Sequence, residues 1–353
     1  MASRHGSGGR RGARPSLAVR EAGDEEDAAT RENSATLDVL TMGRSGVDLY
    51  PLQTGIGLED VATFGKYLGE SPTNVAVATS RLGHRTALLT GVEDDPFGRF
   101  ARRAVREFGI DDSQIVVVPE LDTPVTFCEI FPPDHFPLWF HRAPSAPDSQ
   151  ISPQDVPLDV VRDARLLWLT ATGLSQEPSR SAHITALDAR RGRGFAALDL
   201  DYRPSFWPGE QAAHDAVRDV LGWVTLAVGN LEECQMAVGA TEPDRAADAL
   251  LEAGVELAVI KQGPHGVPGK TREERVVVAS TAIQVVNGLS AGDGFGGALC
   301  HGLLEGWSLH RTLEFASAAG AIGASRLECS GAMPTEADVE ALIAQRRMVP
   351  GET

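Results

Sequence analysis

The feature that most constrains this chain is a regular alternation of short apolar runs with longer amphipathic stretches, starting near residue 37. The apolar runs cover residues 37–42, 86–90, 166–170, 195–200, 223–228 and 257–260. Between them, residues 72–82, 96–108, 178–190, 211–221 and 244–253 carry helical hydrophobic spacing. Three more helical segments, 292–305, 308–325 and 335–347, close the chain. Strand–helix alternation of this kind predicts a mainly parallel sheet with helices on both faces, a three-layer α/β/α domain over residues 36–348. Ligands on such sheets sit at the carboxyl ends of the strands. Two stretches break the pattern, residues 47–58 and 123–142. The second has apparent strands at 125–131 and 137–140 around Pro132, Pro133 and Asp134, which predicts a small antiparallel lid.

Residues 1–35 differ in composition. Five arginines fall within the first twenty residues, an acidic stretch follows at 21–27, and no hydrophobic period is present, so a disordered tail is expected. The net charge of −17 argues against nucleic-acid binding through a basic surface. No apolar run reaches the roughly 18 residues of a membrane span, and no secretory h-region opens the chain, which predicts a cytoplasmic protein. Cys128, Cys234, Cys300 and Cys329 lack metal-ligand spacing and are expected to be reduced, buried thiols.

The chemistry concentrates in Ile283-Gln-Val-Val-Asn-Gly-Leu-Ser-Ala-Gly-Asp-Gly-Phe-Gly-Gly. A β-branched run leads through small residues into a helix at about Ala291. The unpaired amides of a helix start and its positive dipole end form an anion site, here Ser290, Ala291 and Gly292. A carboxylate beside a bound phosphate, Asp293, is poor for binding alone. It makes sense as the base that takes a proton from a hydroxyl attacking that phosphate. The same letters satisfy the dinucleotide fingerprint G-x-G-x-x-G, but too little chain follows to complete such a fold. They also admit a purely structural reading in which the glycines allow close helix packing. Gly263-Pro-His-Gly-Val-Pro-Gly-Lys-Thr imitates a Walker A loop but has one residue too many between its glycines and two prolines that lack an N–H; it is rejected as a phosphate cradle.

With these segments in order, the sequence resembles the ribokinase-like, pfkB-type carbohydrate kinases. The late signature D-x-x-G-A-G-D-x-F reads here as Asn287-Gly-Leu-Ser-Ala-Gly-Asp293-Gly-Phe. The early Gly-Gly…Asn signature reads as Gly69-Glu-Ser-Pro-Thr-Asn74. Gly43-Arg-Ser-Gly-Val-Asp48, Gly91-Val-Glu-Asp-Asp95-Pro-Phe-Gly98, Asn230-Leu-Glu-Glu233 and Lys261-Gln-Gly263 resemble further family segments, so the likeness spans about residues 37–347. The resemblance implies a nine-stranded α/β core with a β lid, ATP with Mg²⁺, and a sugar phosphorylated with Asp293 as base. It implies sugar contacts from Asp48 and Asn74, and nucleotide and Mg²⁺ contacts from Asn230, Glu233, Lys261 and Gly263, with Glu233 acting on the metal. It also allows a homodimer through the lid strands and a monovalent cation. Within the family the sequence is most similar to the 5-dehydro-2-deoxygluconokinases of inositol catabolism, through Gly46-Val-Asp-Leu-Tyr-Pro51, Ser71-Pro-Thr-Asn74, Phe136-Pro-Leu-Trp-Phe-His-Arg142 and Asp199-Leu-Asp-Tyr-Arg-Pro-Ser-Phe-Trp207. For an acid substrate, Arg142 and Arg203 are the cations expected to meet the carboxylate. Plainer roles remain open: a turn residue at Asp48, a helix cap at Asn74, a helix-dipole partner at Glu233, and ordinary ion pairs at both arginines.

Four positions depart from the family pattern. Ser290 replaces a glycine of the anion site, Glu70 replaces the second glycine of the early pair, and Glu93 stands where a small residue is common. If residue 290 needed a left-handed backbone, Ser would cost about 1 kcal/mol more than Gly. Glu70 would place a carboxylate beside an anionic substrate. Asn287, in place of an Asp, puts the monovalent-cation site in question. These departures keep two alternatives in view: a kinase for 2-keto-3-deoxygluconate, fructose or ribose, and a sugar-binding homologue with impaired catalysis.

Overall fold

The computed structural model describes residues 36–348. Residues 1–35, the expected tail, lie outside the described residues. In chain order the strands of the first half are β1 (Val39–Met42), β2 (Gly46–Pro51), β3 (Phe64–Gly69), β4 (Thr86–Val92), β5 (Ile115–Val117), β6 (Val125–Cys128) and β7 (Leu138–His141). Those of the second half are β8 (Leu166–Thr170), β9 (Phe195–Asp199), β10 (Leu226–Asn230), β11 (Leu257–Lys261), β12 (Val267–Lys270) and β13 (Arg275–Val278). Nine of them form the large sheet in the order β13-β12-β11-β10-β9-β8-β1-β4-β5. From β11 across to β5 every pairing is parallel, and the hairpin β12–β13 adds two antiparallel strands at one edge. The central strands are buried on both faces, as a parallel sheet between two helical layers requires.

Alternate residues of each strand feed different layers. The helices are α1 (Ser71–Arg81), α2 (Pro96–Glu107), α3 (Leu158–Asp163), α4 (Ser179–Arg190), α5 (Glu210–Leu221), α6 (Leu231–Val238), α7 (Pro243–Glu252), α8 (Ala291–Leu304), α9 (Leu309–Ala324) and α10 (Glu336–Met348). Leu40, Met42, Leu167, Leu169, Leu198 and Ile260 join one core with α3 to α7. The other face, with Leu88 and Trp168, meets α1, α2 and α8; α9 packs on α8, and α10 on α9. Glycines 296 and 297 let α8 press against Trp168 and α1. A Cβ at 296 would lie 2.9 Å from the Trp168 ring, and one at 297 would collide with Ala78.

A second, smaller sheet has the order β3-β2-β6-β7. The small-sheet expectation holds, but the sheet is mixed and not antiparallel throughout: β2–β3 and β6–β7 are antiparallel, and β2–β6 is parallel. Its first excursion continues to Gly69 through β3, which the polar and glycine-containing run Phe-Gly-Lys-Tyr-Leu-Gly conceals. Residues 283–286 lead into the turn before α8. Despite their β-branched side chains they form no strand, because the amides of Val286 and Asn287 bond to the Ala324 carbonyl at the end of α9 rather than to a neighbouring strand. The Walker-like segment folds into a 3₁₀ turn and β12, with Lys270 paired to Asp248 at 2.6 Å, so no helix follows it to bind phosphate. All four cysteines are buried and free. No helix among the described residues is long and apolar enough to cross a membrane.

Candidate active site

Helix α8 starts at Ala291, directly after a 3₁₀ turn at Gly288–Ser290, and its first turn presents Asp293. The Asp293 carboxylate is held from two sides. Ser71 Oγ donates to Oδ1 at 2.7 Å and Asn74 Nδ2 donates to Oδ2 at 2.8 Å. Both donors lie in the first turn of α1, three residues apart and so on one helix face. Ser330 Oγ donates to the Asn74 side-chain oxygen at 2.6 Å, which fixes the amide so that its N–H₂ points at Asp293. Burial, aided by the Asp201 charge, pushes Asp293 up to about 6, while the Ser71 and Asn74 hydrogen bonds and Lys261 pull the other way. The group is therefore ionised at neutral pH yet far more basic than an ordinary carboxylate, as a general base should be.

Ser290 has φ −80° and ψ −9°, a right-handed conformation open to any residue, so its side chain costs no backbone strain. Its hydroxyl is buried without a hydrogen-bond partner. Ala291 donates its amide to the Gly288 carbonyl, so the amides at the opening of α8 begin with Gly292. A Cβ on Gly292 would sit 3.5 Å from Lys261 Nζ, which places an ammonium against the start of the helix.

Lys261 ends β11 and reaches Asp199 Oδ1 at 3.7 Å and Glu233 Oε2 at 3.9 Å. Burial opposes its charge, but Asp199 and Glu233 outweigh burial and hold its ammonium above the usual range. Burial lifts Asp199 to about 7; Lys261 opposes this, and the Glu233, Asp201 and Asp293 charges add to it. Asn230 and Glu233 form a capping box at the start of α6: Asn230 Oδ1 accepts from the Glu233 amide at 2.9 Å and Glu233 Oε2 accepts from the Asn230 amide at 2.7 Å. Gly263, at φ 54°, turns the chain out of β11 on the same rim.

The remaining residues expected from the sequence border the small sheet. Asp48, on β2, lies against Gly69, where any side chain would collide with its carboxylate. Tyr50 OH donates to Asp48 Oδ2 at 2.5 Å. Burial and then the Glu70 charge push Asp48 up to about 7, against the Tyr50 hydrogen bond. Glu70 caps α1 at φ 78° and ψ 141°, a backbone region that favours glycine and costs another residue about 1–3 kcal/mol. Its side chain does not face solvent. One oxygen ion-pairs with Arg44 Nη1 and the other accepts from Thr126 Oγ1 at 3.1 Å. Arg44 also meets Asp201 at 2.9 Å and Thr172 Oγ1 at 3.2 Å, and stacks over Phe206 with its carbon 5.2 Å from the ring centre. Arg203 donates to the other oxygen of Asp201 at 2.9 Å. Burial pushes Asp201 up, but the Arg203 and Arg44 guanidiniums outweigh it and hold the carboxyl well below the usual range. Arg142 pairs with Asp148 at 2.6 Å and lies over Phe206 at 4.9 Å. Arg44, Arg142, Phe140, Asp148, Thr172 and Phe206 line one cavity of about 310 Å³.

The structure thus brings Asn74 to Asp293 directly, gathers Lys261, Glu233 and Asp199 at the strand ends, and ties Arg203 to Arg44 through Asp201. Asp48 sits beside Glu70. Glu93 stays apart: it accepts from the Asp94 amide beside the α2 cap, where Asp95 accepts from Gly98 at 2.6 Å. Sequence reasoning missed Ser71, Arg44 and Asp201. Ser71 was detectable, because it is three residues before Asn74 on a helix start. Arg44 and Asp201 lie inside the quoted segments, but nothing in their spacing announces a shared ion pair across 157 positions.

Comparisons with known proteins agree with this architecture. A family model described as pfkB family carbohydrate kinase matches residues 36–336. A 5-dehydro-2-deoxygluconokinase of Shouchella clausii is 31% identical over 319 residues, covering 88% of this chain and 97% of that protein. One from Photobacterium profundum is 32% identical over 308 residues, covering 85% and 92%. Among solved structures, the PfkB protein of Polaromonas sp. JS666 superposes with a TM-score of 0.77 at 26% identity, covering 87% of this chain and all of that one. The fructokinase of Xylella fastidiosa with bound ATP gives 0.77 at 20% identity, covering 88% and 99%, a likeness of fold.

Proposed function

From a chain that belongs to the pfkB family of carbohydrate kinases, we propose a specific reaction: ATP-dependent phosphorylation of the terminal hydroxyl of a keto-deoxy sugar acid. The substrate we favour is 5-dehydro-2-deoxy-D-gluconate, converted to its 6-phosphate, because relatives about 30% identical over most of the chain carry that activity in their names. One observation carries the chemistry: Asp293 is fixed by Ser71 and Asn74 at the opening of α8 and raised to about 6. Its carboxylate accepts the hydroxyl proton. The hydroxyl oxygen bonds to the γ-phosphorus as the bond to the bridging oxygen breaks, and ADP leaves. Amides from Gly292 onward and Lys261 Nζ are placed to meet charge on the transferred phosphoryl group. Ser290 and Ala291 shape this turn.

Asn230, Glu233, Lys261 and Gly263 form the nucleotide rim in this reading. Asp199 and Glu233, which both face the Lys261 ammonium, are the carboxylates that would hold a divalent cation such as the Mg²⁺ that accompanies ATP. When bound, that ion neutralises phosphate charge. Glu233 gives one oxygen to its helix cap and keeps the other for water or metal. A monovalent cation, which the family resemblance allows, would meet at residue 287 a neutral amide that donates to the Leu327 carbonyl at 2.7 Å. The small sheet acts as the lid, with its edge strands β3 and β7 as the contact for a homodimer in the cytoplasm.

Asp48 and Asn74 hold the sugar hydroxyls, and Arg142 or Arg203 receives the acid. Each arginine is already paired with a carboxylate, and Glu70 occupies Arg44 as well, which favours a neutral keto sugar as the second reading. Sugar-dependent ADP release across a panel of sugars and sugar acids separates the two. If the acid reading holds, Arg142→Ala or Arg203→Ala raises KM for the acid by about 10- to 100-fold, the worth of one charge-assisted bond, and leaves a neutral sugar little changed. Equal losses on both substrates favour the neutral sugar.

A further inference from the structure

We propose that Glu70 sets the charge preference of the sugar pocket: its carboxylate occupies the Arg44 guanidinium and disfavours substrates with a carboxylate at that end relative to neutral ones. This rests on the kinase reading above and names the residue that decides between its two substrate classes.

Three observations carry it. The backbone at residue 70 has φ 78°, where glycine is the natural occupant, yet the chain keeps a glutamate whose residue is only 6% exposed. Local backbone preference cannot account for that choice, so the side chain must. Next, both carboxylate oxygens are engaged, one by Arg44, which lines the cavity, and one by Thr126 on β6, which holds the charge against the guanidinium and away from water. Finally, each guanidinium near the pocket already has a carboxylate partner. Arg44, Arg142 and Arg203 stand against Glu70, Asp148 and Asp201. Without Glu70, Arg44 and Arg203 would share Asp201 alone, which leaves part of the Arg44 guanidinium open to a substrate carboxylate.

Glu70 also lies close enough to Asp48, the proposed sugar contact, for its charge to disfavour a second charge there. It therefore stands between the group that holds hydroxyls and the guanidinium that could hold an acid. A substrate carboxylate entering here must displace Glu70 from Arg44 or accept a like charge beside it. A neutral sugar meets neither obstacle.

The test uses the full chain and two ligands, 5-dehydro-2-deoxygluconate and D-fructose, measured by titration calorimetry and by sugar-dependent ADP release. The variants are Glu70→Gln, which keeps the shape and hydrogen bonds without the charge, and Glu70→Gly, which restores the residue the backbone favours. In both, affinity for the acid relative to fructose should rise about 10- to 100-fold, mostly through the acid. An unchanged or lowered ratio in Glu70→Gln overturns the proposal, as does an acid that binds neither variant while fructose binds. The readouts separate the two readings. If the binding ratio shifts but no sugar stimulates ADP release, Glu70 keeps its role and the kinase reading fails. If sugars are phosphorylated but the ratio does not move, the kinase reading stands and Glu70 loses its role.

Discussion

Replacing Asp293 by Asn should leave ATP binding intact and reduce turnover by about 10²- to 10⁴-fold, the usual worth of a positioned general base. The amide preserves shape and can still bond to Ser71 and Asn74, so the loss should fall on kcat and not on folding. In the wild type the base must be deprotonated to act. With Asp293 at about 6, kcat/KM should rise tenfold per pH unit below 6 and level off above it. That limb should be missing from the residual activity of Asp293→Asn. Near-wild-type turnover of the variant at saturating sugar would remove Asp293 from its role.

The second large effect concerns stability. Arg44 is 4% exposed and joins Glu70 on one side to Asp201 on the other, linking the start of α1 to the segment after β9. Arg44→Met would leave Glu70 as a buried, uncompensated carboxylate. Breaking a buried pair from one side costs about 3–5 kcal/mol. For a domain of this size that is a drop in melting temperature of roughly 6–15 °C. The double variant Arg44→Met/Glu70→Gly removes both charges and relieves the backbone at residue 70, so it should be more stable than Arg44→Met alone. Additive losses in that cycle would show that the two side chains act independently.

The large sheet was legible in the sequence because its central strands are buried on both faces and read as uninterrupted apolar runs. The helices were equally visible; α8 begins at Ala291, where the small-residue turn placed it. The strands that the sequence hid have separate causes. Strand β3 is only half-buried along most of its length and contains two glycines, so neither a run nor an alternation marks it. Strands β12 and β13 form an edge hairpin whose first strand holds Pro268 and Gly269, residues that normally argue against a strand.

At the site, residues within one motif were legible and partnerships between motifs were not. Asn74 and Asp293 were each marked by their own segments, yet the 2.8 Å bond between them depends on α1 and α8 packing together through Gly296 and Gly297. Glu70 was visible only as a departure, a carboxylate where an acid substrate would be repelled. Its pairing with Arg44 changes that reading, because the charge is neutralised by a buried guanidinium. Ser290 is the opposite case. The glycine it replaces is not required by this backbone, since φ is −80°.

The most direct measurement follows the phosphoryl group. The full chain is incubated with ATP, Mg²⁺ and each sugar or sugar acid, and ³¹P NMR with mass spectrometry identifies the products. The expected result is one phosphomonoester on the terminal carbon of the sugar for each ADP formed, with Asp293→Asn yielding neither at a comparable rate. A wild type that binds the sugar but forms no sugar phosphate would contradict it, and would mark the chain as a sugar-binding protein on a kinase scaffold.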